Sequence, residues 1–331
     1  MHKTFQLFVA FIGVLVLTLG CLYFFYRPIT ESISIPSDDV VTEEVKENEE
    51  QSEIVYYMPV GKEVDLSKNG PWKNSLNIAF SEDGTTFTAQ TALVEKAGVP
   101  SLTQMQDGRL LLVFQWFEDG DWFDYPALMF SEDQGQTWRD PEPMKLIGYP
   151  DDWGVPFDPA VVTLPDGRIR MYFTVNPERF SGSTDTYISS AVSEDGLIYT
   201  YEAGVRFEDT DIDLTRDSTV GYLDGEFHLF SPSHETDGEM NHGVSQNGLD
   251  FTVEEDITDG EYIIWLGDVT TSTAGLRFYG FEKASILWAD SSDGFSWTDE
   301  VKTNLMGADP AAVRLEDGSY VVVVTSIGQK Q

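Results

Sequence analysis

The feature that most constrains this chain is a short pattern that recurs five times. Ser81-Glu82-Asp83-Gly84 leads to Phe87, Ser131-Glu132-Asp133-Gln134-Gly135 to Trp138, and Ser193-Glu194-Asp195-Gly196 to Tyr199. Ser245-Gln246-Asn247-Gly248 leads to Phe251, and Ser291-Ser292-Asp293-Gly294 to Trp297. Successive copies lie 50, 62, 52 and 46 residues apart. In each, a strand ends at the Ser and the Asp or Asn bonds turn amides. The Gly supplies positive φ, and a new strand opens near the aromatic. A second series of turns interleaves with the first, at Asp107-Gly108, Asp166-Gly167, Asp224-Gly225, Ala274-Gly275 and Asp317-Gly318, each between apolar runs.

Two hairpins per repeat, at this period, make a four-stranded blade. The strands are termed A to D from the centre of the ring to its rim. The first piece, residues 76–93, is a C–D hairpin without its A–B partner. The last, residues 309–327, is an A–B hairpin without its C–D partner. Joining them completes a fifth blade and removes the exposed sheet edges that a linear array would leave. The expected fold is an all-β, five-bladed β-propeller closed by its N- and C-terminal half-blades, spanning residues 57–331.

The N-terminus reads differently. Residues 5–26 are almost unbroken apolar sequence, long enough to span a bilayer, with Lys3 before them, Arg27 after them and acidic sequence beyond. The expectation for residues 1–27 is one transmembrane helix, an anchor that leaves the propeller on the extracytoplasmic side. Two rival readings stay open: a lipoprotein cut before Cys21, and a cleaved secretory signal. Residues 28–56 are too acidic to fold alone and form an extended spacer. Cys21 is the only cysteine of the chain, so no disulfide framework exists.

The motif at Ser131 to Trp138 resembles the Asp box, the bacterial neuraminidase (BNR) repeat of sialidases, and the other four copies resemble shortened versions. Asp158-Pro159-Ala160-Val161 leading to Asp166-Gly167, and Asp309-Pro310-Ala311-Ala312 leading to Asp317-Gly318, resemble the blade-opening strands of five-bladed glycoside hydrolases of families 43 and 32. Together the resemblance covers residues 75–327. It implies a glycoside hydrolase on a propeller scaffold. A sialidase-like exo-glycosidase is the alternative, but sialidases resemble six-bladed rings and need an arginine triad opened by a Phe-Arg-Ile-Pro-like strand, which is absent here. The family 43 pattern is also incomplete. Its base would open the first blade, where Gly98-Val99-Pro100-Ser101 stand. Its tuning Asp would open the third, where Asp217 fits. Its acidic Glu would open the fourth, where Gly267-Asp268 stand.

In such a ring the B–C and D–A loops share one face with the mouth of the central channel. The innermost strands open on Asp158, Asp217, Asp268 and Asp309, which lie 8, 7, 6 and 8 residues before their turns. Glycoside hydrolysis needs two carboxyl groups, one protonated and one ionised, and crowding raises one pKa. Asp158, Asp217 and Asp268 are therefore the catalytic candidates. Trp116, Trp122, Trp153, Arg179, Arg216 and Asp309 are the substrate-binding candidates, the indoles as platforms for sugar faces. Each Asp also has a structural reading, as a cap on amides of the adjacent blade, and Arg216-Asp217 as an internal ion pair.

The formal net charge of −37 repels polyanions, so no nucleic acid is expected as a partner. The expected partners are a neutral glycan and, through the N-terminal helix, a membrane. The chain is expected to be a monomer. No cofactor is expected, with calcium left open as the one alternative. Asp209-x-Asp211-x-Asp213 looks like the start of a calcium loop, but Leu214 and Val220 stand where that loop needs Gly and Glu. A non-catalytic glycan-binding propeller and a protein-interaction scaffold remain as further readings.

Overall fold

The structure, a computed structural model, describes residues 55–59, 64–118, 120–177, 185–208, 215–233, 238–258, 260 and 263–326. The apolar segment 5–26, Cys21, Arg179 and the Asp209–Asp213 run lie outside the described residues. Among the described residues no helix is long and apolar enough to cross a membrane.

After a 3-10 turn at Pro71–Lys73 come β1 (Ser75–Ser81) and β2 (Thr91–Glu95). Blade one is β3 (Ala97–Gln104), β4 (Leu110–Trp116), β5 (Tyr125–Ser131) and β6 (Glu142–Pro143). Blade two holds β7 (Lys145–Ile147), β8 (Phe157–Thr163), β9 (Ile169–Val175), β10 (Tyr187–Ser193) and β11 (Ile198–Phe207). Blade three is β12 (Thr219–Leu223), β13 (Glu226–Pro232), β14 (Met240–Ser245) and β15 (Thr252–Val253). Blade four is β16 (Ile264–Thr271), β17 (Leu276–Glu282), β18 (Ser285–Ser291) and β19 (Val301–Met306). The last strands are β20 (Ala308–Arg314) and β21 (Tyr320–Ser326).

The chain is an all-β, five-bladed propeller. Blade five is the sheet β2-β1-β21-β20, in which Ser75 pairs with Ser326 and Ser81 with Tyr320. The ring is thus closed by the two half-blades. Blade two departs from the four-strand expectation: β7 adds to its outer edge, parallel to β11, with Lys145 opposite Ile198. Tyr56 bridges to Ile147 beyond it, and Tyr57 is buried against Tyr125 and Tyr149.

The core follows from strand alternation, which sends successive side chains to opposite faces of each sheet. Leu110, Leu112 and Phe114 of β4 pack against blade five, while Leu111 and Val113 pack against blade two. Each of the five apolar clusters occupies a seam between adjacent blades. The aromatic of each recurring pattern sits on the seam with the preceding blade, as with Phe87 between blades four and five and Trp297 between three and four.

The recurring turns have one geometry. The Ser hydroxyl accepts the Gly amide at 2.8 to 3.0 Å in every copy. The Asp or Asn side-chain oxygen accepts amides farther along, as Thr85 and Thr86 donate to Asp83 at 2.8 Å. The Gly φ values run from 69° to 87°, where a side chain would be strained. Seams are further pinned by strand B. Tyr279 donates to Gly84 O at 2.6 Å beside the Arg277–Asp290 ion pair, and Tyr172 donates to Gly248 O at 2.8 Å beside Arg170–Glu202. In blade three the corresponding device is a stacked imidazole pair, with His228 Nδ1 3.1 Å from His242 Nε2.

Candidate functional site

Three inner strands open with the same irregularity. In β8, Asp158 and Pro159 together oppose one residue of β9, because Phe157 pairs with Thr174 and Ala160 with Tyr172. In β20, Asp309 and Pro310 do the same between the pairs Ala308–Thr325 and Ala311–Val323. In β3, Val99 and Pro100 do so between Gly98–Gln115 and Ser101–Val113. The first residue of each bulge is left-handed, with φ of 51° at Asp158, 43° at Asp309 and 49° at Val99, and Asp217 just before β12 has 56°. A residue before proline prefers extended backbone, and a β-branched one resists positive φ most of all. Such strain gathers where a fold holds a functional geometry, and a bulge re-aims a side chain.

The re-aimed carboxyls meet. Asp158 and Asp217 share a hydrogen bond, and Asp309 lies within electrostatic reach of both. Burial, followed by the charge of Asp217 and the bond to it, holds the Asp158 carboxyl well above the usual carboxylate range. Burial and the Asp217 charge push Asp309 up to about 6, against a stabilising bond from Thr325. Arg216 Nε stands 3.5 Å from Asp217 Oδ2. Threonines at the ends of strands B lock the cluster. Thr174 donates to Asp158 at 3.4 Å and accepts the Asp217 amide at 3.2 Å, while Thr325 accepts the Val99 amide at 3.2 Å.

Asp268 does not join this group, which corrects its expected place at the channel mouth. In β16 three residues, Trp265, Leu266 and Gly267, oppose Gly280, so Asp268 pairs with Tyr279 and takes the position of Ala160 rather than Asp158. It is buried in the channel wall, 3% exposed. There it accepts from Ser101 Oγ at 3.0 Å, the Leu102 amide at 3.2 Å, the Val269 amide at 3.0 Å and, most closely, Thr219 Oγ1. Ser101 in turn accepts the Val161 amide. Asp268 thus ties blade four to blades one and three, and through Ser101 to blade two.

The three tryptophans are half-buried and pack against blade seams. Trp116 lies on the seam between blades five and one, and Trp122 and Trp153 on that between one and two. Trp153 is held edge-on by Tyr149, Tyr187 and Tyr201 at 5.7 to 6.1 Å. A cavity of about 360 Å³ opens beside Asp158, walled by Phe117, Val155 and Phe157 and carrying Gln115, Asp124 and Asn176. Of these, Asp124 belongs to the acidic and aromatic loop 116–125, whereas Gln115 only follows the apolar run Leu110–Phe114 and Asn176 carries no signal. Among the described residues no group of three or more His, Cys, Asp and Glu side chains is arranged to hold a metal ion.

No known family model matches the chain, and no curated protein matches it. Solved structures do. A Dyadobacter fermentans protein of unknown function has a TM-score of 0.51 at 17% identity, covering 76% of this chain and 84% of its own. An α-L-arabinofuranosidase from Clostridium thermocellum has 0.51 at 13% identity, covering 68% and 81%. An exo-β-1,3-galactanase from Phanerochaete chrysosporium has 0.50 at 13%, covering 76% and 66%. What they share with this chain is the fold. Its structural neighbours include glycoside hydrolases.

Proposed function

We propose that the chain is a glycoside hydrolase acting on a neutral glycan. The observation that carries this reading is the carboxyl cluster, in which left-handed Asp158 and Asp309 of the bulges and left-handed Asp217 meet, and burial raises Asp158 above the usual carboxylate range. Asp158 is the general acid. Asp217 accepts its hydrogen bond and keeps that proton in place. Asp309 is the base. In the reaction Asp158 protonates the glycosidic oxygen as the bond to the anomeric carbon breaks. Asp309 removes a proton from the water that forms the new bond. The two protons re-equilibrate with solvent after product leaves. Asp268 takes no chemical part. The chain is membrane-tethered through residues 5–26 and presents the propeller outside the cytoplasm.

The test is a screen of aryl glycosides with the wild type, Asp158→Asn and Asp217→Asn. Asp158→Asn is expected to lose activity on 4-nitrophenyl glycosides and to keep much of it on 2,4-dinitrophenyl ones, whose leaving group needs no proton. Equal loss on both, or no hydrolysis by the wild type in a broad screen, would sink the assignment. Binding without hydrolysis would leave a glycan-binding propeller.

A further inference from the structure

The carboxyl cluster is not the whole of the binding surface. Gln115, the penultimate residue of β4, is 3% exposed and lines the cavity beside Asp158. Its Nε2 donates to Asp124 Oδ1 at 3.1 Å, and its Oε1 accepts nothing from the described residues. A buried acceptor left this way costs about 1–3 kcal/mol unless a ligand supplies a donor. Asp124 is itself left-handed, with φ of 62°, as are Val99 and Asp158 on the same wall. A neighbouring cavity of about 490 Å³ shares Pro71, Phe117 and Asp124 with the first and continues to Trp72 and Lys68. Trp72 is fixed there by its Nε1, which donates to Leu66 O at 3.2 Å and Lys68 O at 3.0 Å, and by Phe123 at 6.0 Å.

We propose that this joined cleft, between blades one and two and walled by residues 64–73, is a second sugar site. It holds the unit next to the one at Asp158. Gln115 Oε1 and the Asp124 carboxylate accept its hydroxyls, and Trp72 and Phe117 cover its apolar faces. The wall chemistry gives the class. Gln115 Oε1 and Asp124 are acceptors, so the ligand is rich in donors, and Pro71, Phe117 and Phe123 suit carbon–hydrogen faces. The substrate is therefore an oligosaccharide rather than a small glycoside. The inference rests on the hydrolase reading, from which it takes the first unit.

The experiment is calorimetric titration of the full chain carrying Asp158→Asn, which stops turnover and suits a left-handed position. The probes are neutral arabino-, xylo-, galacto-, manno- and gluco-oligosaccharides of two to six units, with their monosaccharides. At least one oligosaccharide is expected to bind more tightly than its monosaccharide. Adding Gln115→Leu or Trp72→Ala is expected to weaken it about tenfold. Trp72→Ala should leave monosaccharide binding unchanged. Because Gln115 is buried, thermal unfolding is recorded for each variant, and Trp72, outside the blades, carries the result if Gln115→Leu does not fold. No oligosaccharide preference, or an affinity that neither variant moves, overturns the second site. Asp158-dependent hydrolysis with inert Gln115 and Trp72 variants sinks this inference alone. Variant-sensitive binding with no hydrolysis of any probe sinks the hydrolase reading alone.

Discussion

Asp268→Asn offers a direct test of how the channel is held together. Burial pushes the Asp268 carboxyl up to about 7, even though four donors from three blades point at it. An unfolded Asp titrates near 3.8. Between these values the folded chain binds more protons than the unfolded one, so stability falls as pH rises through the window. A displacement of this size corresponds to about 4 kcal/mol at most. Asparagine removes the ionisation but turns an amide NH2 toward two of the four donors. That leaves the fixed Leu102 or Val269 amide without an acceptor, at a cost of roughly 2–4 kcal/mol for the lost bonds. The assay is urea unfolding of the full-length wild type and variant at steps from pH 4 to 8. The variant should be less stable at pH 4, and the gap should narrow by several kcal/mol toward pH 8. A gap constant across that range would show that Asp268 does not carry the buried proton, and the clasp argument would fail.

Removing the last twenty residues takes β21 from the middle of blade five, so near-ultraviolet circular dichroism should vanish; a protease-resistant truncation would contradict the closure. Arg277→Leu strands Asp290, whose side chain is 14% exposed, and should cost about 3–5 kcal/mol by chemical denaturation. Tyr279→Phe takes the 2.6 Å donor from the buried Gly84 carbonyl, leaving Arg277 Nη1 at 3.4 Å, and should cost about 1 kcal/mol. Burial lowers His242 to about 4 and lowers His228 as well, so the pair is neutral in the fold. Its stabilisation is complete above the unfolded value of 6.5 and is lost as pH falls from there toward 4, and His242→Phe should flatten that limb of the stability curve. Hydrolysis should rise as pH passes about 6, where Asp309 loses its proton, and fall again at higher pH where Asp158 loses its own.

The blades were legible because each rests on local chemistry. A Ser, an Asp or Asn and a Gly at fixed spacing fold one turn whatever surrounds them, and five such turns count the sheets. The unpaired hairpins at either end even declared the closure. Asp158, Asp217 and Asp309 were legible as strand-opening carboxylates. The deeper place of Asp268 was partly written in its spacing, six residues before its turn where Asp158 and Asp309 have eight. Asp217 has seven for another reason, since β12 and β13 join through a two-residue turn. Spacing alone does not separate a shorter turn from a deeper position; register does. Gln115, Asp124 and Trp72 were not legible as a group, because blade one and the segment before β1 bring them together only in the closed ring. The parallel strand β7 was missed for the same reason: its three residues carry no period of their own.

The pairing of Ser75 with Ser326 also sets an order of events. A ribosome delivers β1 long before β21, so β1, joined to β2 along one edge, waits with its other edge seeking a partner. Blades one to four assemble from neighbouring sequence, whereas blade five needs contacts roughly 250 residues apart, the slowest kind to form. A stalled or interrupted chain would therefore present a sticky open arc rather than a smaller ring. For this molecule, quality control reduces to one question: whether the final strand has arrived.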